Sequence, residues 1–240
     1  MSRRISKGGT SSGRVTKGLQ CGTLDEQTLR FVQAELPDWR DDPERGAETS
    51  EERLNAQLCK YLNVAASERF AMVHFHHEEK QTANRRVDFS ALPRKAQFVG
   101  ERYCTKYDPI IVFEGKRLPP PRNERSRARE YVTGGESKSG GIQRFKLGLH
   151  GAAHGLVAMV GYIQEDEPAN WLKLINRWIQ ELEGTLSFDG EKWSSAEKLS
   201  QFTSDKGAGL AFAWSSHPRS GGKIVSDIRI RHLWIKMKNA

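Results

Sequence analysis

The chain has 240 residues, of which 37% are hydrophobic and 28% charged, and its formal net charge is +8. This length and composition suffice for one substantial hydrophobic core, which favours one domain with tails over two domains. No apolar run reaches the roughly 18 residues of a membrane span, and no hydrophobic region follows the N-terminal arginines, so neither membrane association nor ordinary export is expected. The 3 cysteines are widely spaced without a CxxC pair, which favours reduced thiols and a cytoplasmic location.

The positive charge is concentrated in two parts of the chain. Residues 1–24 contain 5 Lys or Arg and no acid, in a setting of Ser, Gly and Thr, which predicts a basic disordered tail before a single domain over residues 25–240. Between Gly115 and His150, 9 Lys or Arg stand against 3 Glu. Such an excess favours a polyanionic partner, and a solvated loop and tail are the alternative interpretation.

Helical and strand patterns alternate from the start of the predicted domain. A short helix around Asp25–Leu36 should end at Pro37, and Thr49 then stands three residues before Glu52, the spacing of a capping box. A second helix should begin there, with the leucines at positions 54, 58 and 62 on one face. Three strand-like runs come next, the first two separated by a polar connection typical of a hairpin. They are Phe70–Phe75, Val87–Leu92 and Ile110–Leu118.

The second half of the chain continues with further elements. The insert Arg122–Gly141 is rich in Arg and then in Gly and Ser, which predicts at least partial mobility, and Ile142–Leu147 opens a basic helix. The run Leu156–Ile163 is apolar throughout, as in a strand buried on both faces. An amphipathic helix over about Ala169–Leu182 precedes two strands joined by the polar loop Ser215–Asp227.

Glu114 and Lys116 interrupt the third strand-like run two residues apart. Strand alternation places both side chains on one face, and burying such a pair only to build a core is expensive. Asp88 in the preceding run supplies a second carboxylate, and Glu51 falls on the leucine stripe of the second helix. A chemical role is therefore predicted, with a surface or structural ion pair as the alternative.

The order of these elements, together with Asp88 on the second strand and the run Glu114-Gly115-Lys116 on the third, resembles the PD-(D/E)XK nuclease superfamily. The resemblance covers about residues 48–165 and implies an α/β, restriction-endonuclease-like fold. Its αβββαβ core would have a central mixed sheet flanked by helices, and residues 166–240 would form a C-terminal extension containing a helix and a β-hairpin.

The resemblance also implies roles for individual residues. Asp88 and Glu114 would bind a divalent metal, and Lys116 would assist the attacking water. An acid on the first helix of the core often acts as an outer ligand in this superfamily, and Glu51 is the candidate. Its neighbours at positions 48 and 52 are competitors for that role.

The chemistry of phosphodiester hydrolysis makes these residue types intelligible. The negative charge of the phosphodiester repels a nucleophile, so hydrolysis needs that charge neutralised and a hydroxide made near neutral pH. Mg²⁺, for which Mn²⁺ should substitute, prefers oxygen ligands and keeps several waters, so Asp88, Glu114 and the Gly115 carbonyl suffice as candidate ligands. Lys116 can orient or help to deprotonate the water, and metal and burial should depress its pKa.

Three residues of the basic helix after the third strand are candidate nucleic-acid contacts. Gln143 and Arg144 lie at its predicted N-terminus, where free amides and the helix dipole favour a phosphate, and Lys146 adds a further cation. An ordinary surface role is the alternative for Gln143 and Arg144.

The histidines give weaker indications. Those at positions 74, 76 and 77 are clustered, but only His74 and His76 share a strand face, and no third and fourth zinc ligand stands at a recognisable spacing. His150 and His154 are expected to be structural, because the pair lacks the Glu of a metal-binding HExxH helix and a glycine follows each of them. The His and Arg residues between positions 217 and 232 form either a second nucleic-acid surface or ordinary exposed positions.

The sequence thus predicts a metal-dependent phosphodiesterase acting on DNA, an endonuclease with a restriction or defence role by analogy. DNA is the expected partner, and a homodimer fits because cutting both strands often requires two copies of a single-site nuclease. The first alternative is a non-catalytic nucleic-acid-binding module on a nuclease-like fold. The second is a protein-interaction scaffold whose basic tail is incidental.

Overall fold

The computed structural model describes residues 22–82, 85–184, 192–219 and 227–238. Nearly all of the predicted basic tail, residues 1–24, lies outside these ranges. Four α-helices and nine strands are named along the described residues. The helices are α1 Leu24–Asp41, α2 Glu51–Arg69, α3 Gly141–Lys146 and α4 Pro168–Leu182. The strands are β1 Val73–Thr82, β2 Arg85–Pro93, β3 Gln97–Val99, β4 Arg102–Cys104, β5 Ile111–Leu118, β6 Leu156–Ile163, β7 Ser200–Asp205, β8 Leu210–His217 and β9 Ile228–Lys236.

Seven of these strands form one mixed sheet in the order β1-β2-β5-β6-β9-β8-β7. Strand β6 is parallel to both of its neighbours, β5 and β9, and the other pairs are antiparallel. All residues of β6 are buried, because helices cover both faces of the parallel centre of the sheet. The predicted α/β class and the predicted strand buried on both faces are therefore confirmed.

The two faces of the sheet carry separate hydrophobic layers. Helices α1 and α2 pack on one face, and the leucines at positions 54, 58 and 62 are fully buried there, as their spacing predicted. Helices α3 and α4 and the segment ending at Tyr131 pack on the other face. Within the described ranges, none of the helices is both long enough and apolar enough to cross a membrane.

Two predicted features of the first helices are wrong. Helix α1 continues through Pro37 to Asp41, because Trp39 is buried in the core and Arg40 donates a hydrogen bond to the Ala208 carbonyl at 2.6 Å. The N-cap of α2 is Ser50, whose hydroxyl accepts from the Arg53 N–H at 3.3 Å, one residue beyond the predicted cap. Local pattern alone thus misplaced the end of α1 by five residues and the cap of α2 by one.

The insert predicted to be mobile has a defined local structure in its first half. Residues Arg122–Tyr131 form a 3₁₀ helix with a kink, in which Arg127 bridges Glu124 at 2.6 Å and Glu130 at 2.9 Å. Tyr131 anchors its end because its ring is buried against the sheet.

The C-terminal extension completes the sheet. The predicted helix is α4, and the predicted hairpin is β8 and β9, but β9 lies directly beside β6. Strand β7, which the sequence pattern did not reveal, is the edge strand beyond β8. The order helix, strand, strand, strand, helix, strand runs from α2 to β6, with the short β3–β4 pair inserted before β5.

Candidate active site

The candidate catalytic side chains meet where β2 and β5 stop pairing and the N-terminus of α2 approaches. The last registered pair of the two strands is Phe89 and Phe113, so Asp88 and Glu114 are the next residues on each strand. Beyond that pair the Asp88 carboxylate replaces a backbone acceptor, because the Gly115 N–H donates to Asp88 Oδ2 at 2.6 Å. The end of the ladder thus holds Asp88 next to the segment that carries Glu114 and Lys116.

Gly115 is required by the close approach of α2. A Cβ atom at this position would lie 1.8 Å from Asn55 Oδ1, far inside any real contact. The Asn55 side chain is buried and accepts a hydrogen bond from the Tyr162 hydroxyl at 2.7 Å, so it has little freedom to move away. The glycine between the two charged residues therefore lets the helix reach the strand.

Glu114 is fully buried and is surrounded by cationic and donor groups. Arg144 Nη1 donates to its Oε1 at 2.5 Å, Lys116 Nζ lies 3.4 Å from the same oxygen, and His150 Nδ1 lies 3.1 Å from Oε2. Since a carboxylate only accepts, Nδ1 of His150 carries the hydrogen. Burial by itself would raise the pKa of Glu114, but Lys116, His150 and Arg144 hold it below its ordinary value.

Lys116 lies between the acids of the strands and the first turn of α2. Its Nζ donates to Glu51 Oε1 at 2.7 Å, and the Arg117 N–H donates to the other Glu51 oxygen at 3.0 Å. Burial acts to lower the pKa of Lys116, but Glu51, Glu114 and Asp88 together raise it above its ordinary value. Burial alone therefore does not depress this pKa, because the three carboxylates outweigh it and keep Lys116 protonated. The depression expected from metal and burial together stays a prediction.

Asp88 is the carboxyl of the cluster whose ionised form is disfavoured in the folded protein. Its pKa is raised well above the ordinary value, first by burial and then by the nearby Glu114 carboxylate, and Lys116 and the Gly115 N–H oppose the rise. Two carboxylates crowded in this way lower each other's tendency to ionise unless a cation neutralises them. Asp88 therefore ionises less readily than an ordinary aspartate, and a cation bound beside it would favour its ionised form.

The oxygen donors of Asp88 and Glu114 fit Mg²⁺ chemically, since two carboxylates with waters and a substrate phosphate complete its shell. A three-acid set is not formed, because Glu51 binds Lys116 and the Arg117 N–H. Across the described ranges, no three His, Cys, Asp or Glu side chains are grouped so that they could hold a metal ion. The two competing acids are placed elsewhere: Glu48, which precedes α2, pairs with Arg53, and Glu52 in the first turn of α2 is exposed.

The three predicted nucleic-acid contacts are placed differently from one another. Arg144 reaches the cluster through Glu114. Gln143 is buried, and its amide accepts from the Gly134 N–H and donates to the Gly135 carbonyl, so it shapes the preceding loop. Lys146 is buried and paired with Glu197 at 2.7 Å, so the predicted contact of Lys146 with a phosphate is not supported.

His150 and Asn55 are site residues that sequence reasoning missed. The sequence favours a structural role for His150, because the His150/His154 pair lacks the Glu of a metal-binding helix and a glycine follows each histidine. Asn55 stands on an otherwise apolar helix face. The available signal for Asn55 was a polar residue next to the leucine stripe. No local signal connected His150 with Glu114, which is 36 residues away in the chain.

The remaining histidines of interest lie away from the cluster. His76 pairs with Glu79 at 2.9 Å on the edge strand β1. His217 and His232 are fully buried, and Arg219 donates to the carbonyls of Gly151 and His154. These three C-terminal residues therefore form neither a nucleic-acid surface nor ordinary exposed positions.

Comparison of the chain with protein-family models, with curated proteins and with solved structures gives no match. Its function is therefore inferred from the chemistry of the cluster around Glu114.

Proposed function

We propose that this protein is a metal-dependent DNA endonuclease that hydrolyses a phosphodiester bond at the cluster of Asp88, Glu114 and Lys116. The observation that carries the proposal is the convergence of two carboxylates and an ammonium where β2 and β5 stop pairing: the Gly115 N–H donates to Asp88 Oδ2 at 2.6 Å, and Lys116 Nζ lies 3.4 Å from Glu114 Oε1. Burial and then the Glu114 carboxylate raise the pKa of Asp88. A fold gains no stability from such a carboxylate. A divalent cation held by the carboxylates of Asp88 and Glu114 would offset that cost.

The arrangement of elements around the cluster supports a restriction-endonuclease-like fold as part of the same proposal. Strand β2 is antiparallel to β1 and to β5, β5 is parallel to β6, and α2 packs against β1, β2 and β5. The carboxylates lie on the two central strands of this unit. A cytoplasmic location, a homodimer and a restriction or defence role belong to the proposal by analogy alone.

Bound Mg²⁺ would supply charge neutralisation at the phosphate and a nucleophilic water near neutral pH. Asp88 and Glu114 would hold it. The protonated Lys116 would donate a hydrogen bond to the water or to a phosphate oxygen and would stabilise the negative charge that develops there. Glu51 orients the Lys116 ammonium through its 2.7 Å hydrogen bond.

Arg144 and His150 would position Glu114. Each holds one carboxylate oxygen, so the Glu114 plane is defined before a ligand arrives. Such preorganisation lowers the cost of reaching the reactive geometry.

One observation favours the non-catalytic nucleic-acid-binding module as a second candidate. Both oxygens of Glu114 already have partners, as they would in a site where cations of the protein itself neutralise the carboxylate. The cations around Glu114 would then contribute to binding the phosphates of a nucleic acid, and no hydrolysis would take place.

Incubation with covalently closed circular DNA and Mg²⁺ or Mn²⁺ distinguishes the two candidates, and nicking of a substrate without ends identifies an endonuclease. We expect wild-type cleavage, and at least a hundredfold loss in Asp88→Asn and in Lys116→Met, because charge stabilisation of this kind contributes about 10²–10³ in rate. Glu52→Gln is the matched control, since Glu52 is exposed one residue from Glu51. Cleavage that survives both active-site changes would refute the site, and binding without cleavage would favour the module.

A further inference from the structure

The chain between β2 and β5 leaves the main sheet and forms the short antiparallel ribbon of β3 and β4. One face of the ribbon is buried, since Val99 and Cys104 join the hydrophobic layer under α2. On the other face Phe98 and Tyr103 stand directly opposite each other, with 69% and 58% of their surface exposed. Their ring centroids are 5.3 Å apart in an edge-to-face arrangement. The solvent face of a ribbon is ordinarily polar, so core packing does not explain this pair.

The surroundings of the two rings are basic and contain a third exposed aromatic side chain. Tyr107 is 75% exposed, and Lys106 Nζ lies 4.9 Å from the centre of its ring. Arg94 and Lys95 are also exposed at the start of the excursion. Residues 93–109 contain four Lys or Arg and two acids, a net charge of +2. Base-stacking surfaces of nucleic-acid-binding proteins combine these two properties, flat rings and cations along the backbone path.

The ribbon is tied to the candidate active site. Arg102 donates to the Pro109 carbonyl at 2.7 Å and to the Ala153 carbonyl at 3.4 Å. Ala153 follows His150, which holds Glu114, by three residues. Ile110, at the base of the ribbon, precedes Glu114 by four residues, which is about 13 Å along an extended strand. The ribbon is therefore continuous in the chain with the strand that carries Glu114, and Arg102 joins it to the loop that follows His150.

We propose that Phe98 and Tyr103 form a platform on which unpaired bases of a single-stranded nucleic acid stack, while the exposed cations of residues 93–109 neutralise its phosphates. This inference rests on the proposed function and specifies its substrate class as DNA with an unpaired segment. Duplex bases already stack on each other and offer a side chain only their edges, whereas unpaired bases expose the faces that stack on aromatic rings. The net charge of +2 over residues 93–109 is complementary to the phosphates of such a strand.

Binding measured without metal tests the platform independently of cleavage. The full-length protein is titrated in EDTA into a labelled oligothymidine and into a hairpin duplex with the same number of phosphates, with fluorescence anisotropy as the readout. The wild type should prefer the single strand. Phe98→Ala/Tyr103→Ala should weaken single-strand binding by roughly tenfold or more and duplex binding by less than twofold.

Two control variants separate stacking from general damage. Phe98→Tyr/Tyr103→Phe keeps both rings and should retain wild-type affinity. Val64→Ala removes an apolar side chain that is 62% exposed on α2, remote in sequence from the ribbon, and should leave both affinities unchanged. Thermal melts of all variants establish that folding is intact, and the ring-retaining variant keeps the test valid if alanine destabilises the ribbon.

Salt dependence and base removal complete the design. Loss of two neutral rings should leave the slope of log affinity against log salt unchanged, whereas Lys95→Gln should reduce it by about 0.7, the contribution of one single-strand phosphate. An oligonucleotide of abasic sites should bind the wild type and the double alanine variant equally.

Three results would overturn the platform. The first is that the wild type does not bind single-stranded DNA, and the second is that the double alanine variant loses equal affinity for single strand and duplex. The third is that this variant sediments differently but keeps its DNA affinity, which would assign the rings to a contact between copies of the protein. Failure of cleavage in the nicking assay would not alter any of these readouts, and loss of the platform would leave the nicking assay interpretable.

Discussion

Glu114 shows how a buried charge is made tolerable at the scale of one residue. Its side chain is inaccessible to solvent, yet each oxygen accepts from a group of the protein, Arg144 on one side and His150 on the other. A buried carboxylate without such partners would cost several kcal/mol. Asp88 is the contrasting case, since its pKa is raised and that of Glu114 is lowered.

This contrast predicts opposite effects of two amide substitutions on stability at pH 7 in EDTA. Asp88→Asn should stabilise the protein by about 1 kcal/mol, because it removes a carboxylate that is penalised in the folded state, while the amide oxygen can still accept from the Gly115 N–H. Glu114→Gln should destabilise it by about 3 kcal/mol. The amide keeps one acceptor oxygen but turns its NH₂ donor toward either Arg144 or His150, and the negative charge that offsets the neighbouring cations is lost. Urea unfolding measures both free energies.

The pH dependence of the Asp88 effect provides its check. The pKa of this group is raised on folding from an ordinary value of 3.8, so its penalty is absent below pH 3.8 and grows as the pH rises toward the folded-state pKa. The advantage of Asp88→Asn should therefore shrink in acid. Destabilisation by Asp88→Asn at pH 7 would contradict the assignment of a strained carboxylate.

At the scale of elements, the site depends on how closely α2 approaches β5. Gly115→Ala would place its Cβ 1.8 Å from Asn55 Oδ1, and the helix or the strand would have to shift. We expect a loss of about 1–3 kcal/mol in the free energy of unfolding, typical of overpacking. Gly155→Ala is the control, since a Cβ there would meet nothing within 4 Å.

A double-mutant cycle tests the stated cause. In an Asn55→Ala background the clash is absent, so Gly115→Ala should cost clearly less than in the wild type, although Asn55→Ala itself leaves the Tyr162 hydroxyl without its partner. Equal costs of Gly115→Ala in both backgrounds would show that another feature of Gly115 is responsible.

The elements that the sequence predicted share one property, a regular apolar pattern along enough residues to be recognised. Helix α2 with its leucine stripe and β6 with its unbroken apolar run were found for this reason. Strands β3 and β4 have three residues each, too few to show a period, and β7 is a largely exposed polar edge strand. The Arg-rich 3₁₀ segment is held by ion pairs and by the burial of Tyr131, which no local pattern displays.

At the scale of the whole molecule, a buried chain of hydrogen bonds crosses from the 3₁₀ segment to the C-terminal strands. Trp234 Nε1 donates to the Tyr131 hydroxyl at 2.8 Å, so that hydroxyl donates to His232 Nδ1 at 2.8 Å. His232 Nε2 then carries the hydrogen and donates to Ser215 Oγ, which in turn donates to His217 Nε2, both at 2.8 Å. His217 and His232 are thus both neutral.

The series of hydrogen bonds ends at the carboxylate of Glu197, whose negative charge is balanced by Lys146. His217 Nδ1 donates to Glu197 Oε2 at 2.7 Å, and Lys146 Nζ donates to the same oxygen at 2.7 Å. Burial raises the pKa of Glu197, but His217 and Lys146 outweigh it and the pKa lies below its ordinary value. The network explains why Lys146 is unavailable to a nucleic acid.

The neutral histidines predict a loss of stability in mild acid. Burial lowers the pKa of His217, which Glu197 partly offsets, and burial, His217 and Arg231 lower the pKa of His232, both from an ordinary value of 6.5. The unfolded chain therefore binds more protons below pH 6.5, so stability is complete above that pH and falls as the pH decreases, by up to about 1.4 kcal/mol per pH unit for each histidine.

Urea midpoints between pH 5 and pH 8 measure this dependence. His232→Gln should flatten it below pH 6.5 even if it lowers stability throughout, because it removes one of the two fully buried imidazoles. If the urea midpoint of the wild type were constant from pH 8 to pH 5, His217 and His232 would not be held neutral by the buried hydrogen bonds described above.

The sequence by itself determined the elements with long apolar periods, the α/β class and the residues Asp88, Glu114 and Lys116 as a candidate cluster, because each of these depends on residue type and spacing within one or two neighbouring segments. Only the tertiary structure decided which side chains surround Glu114. The hydrogen bond from His150 and the burial of Lys146 against Glu197 join residues 36 and 51 positions apart, and such contacts follow from the packing of whole elements. Packing likewise raised the pKa of Lys116, since three carboxylates from α2, β2 and β5 converge on it.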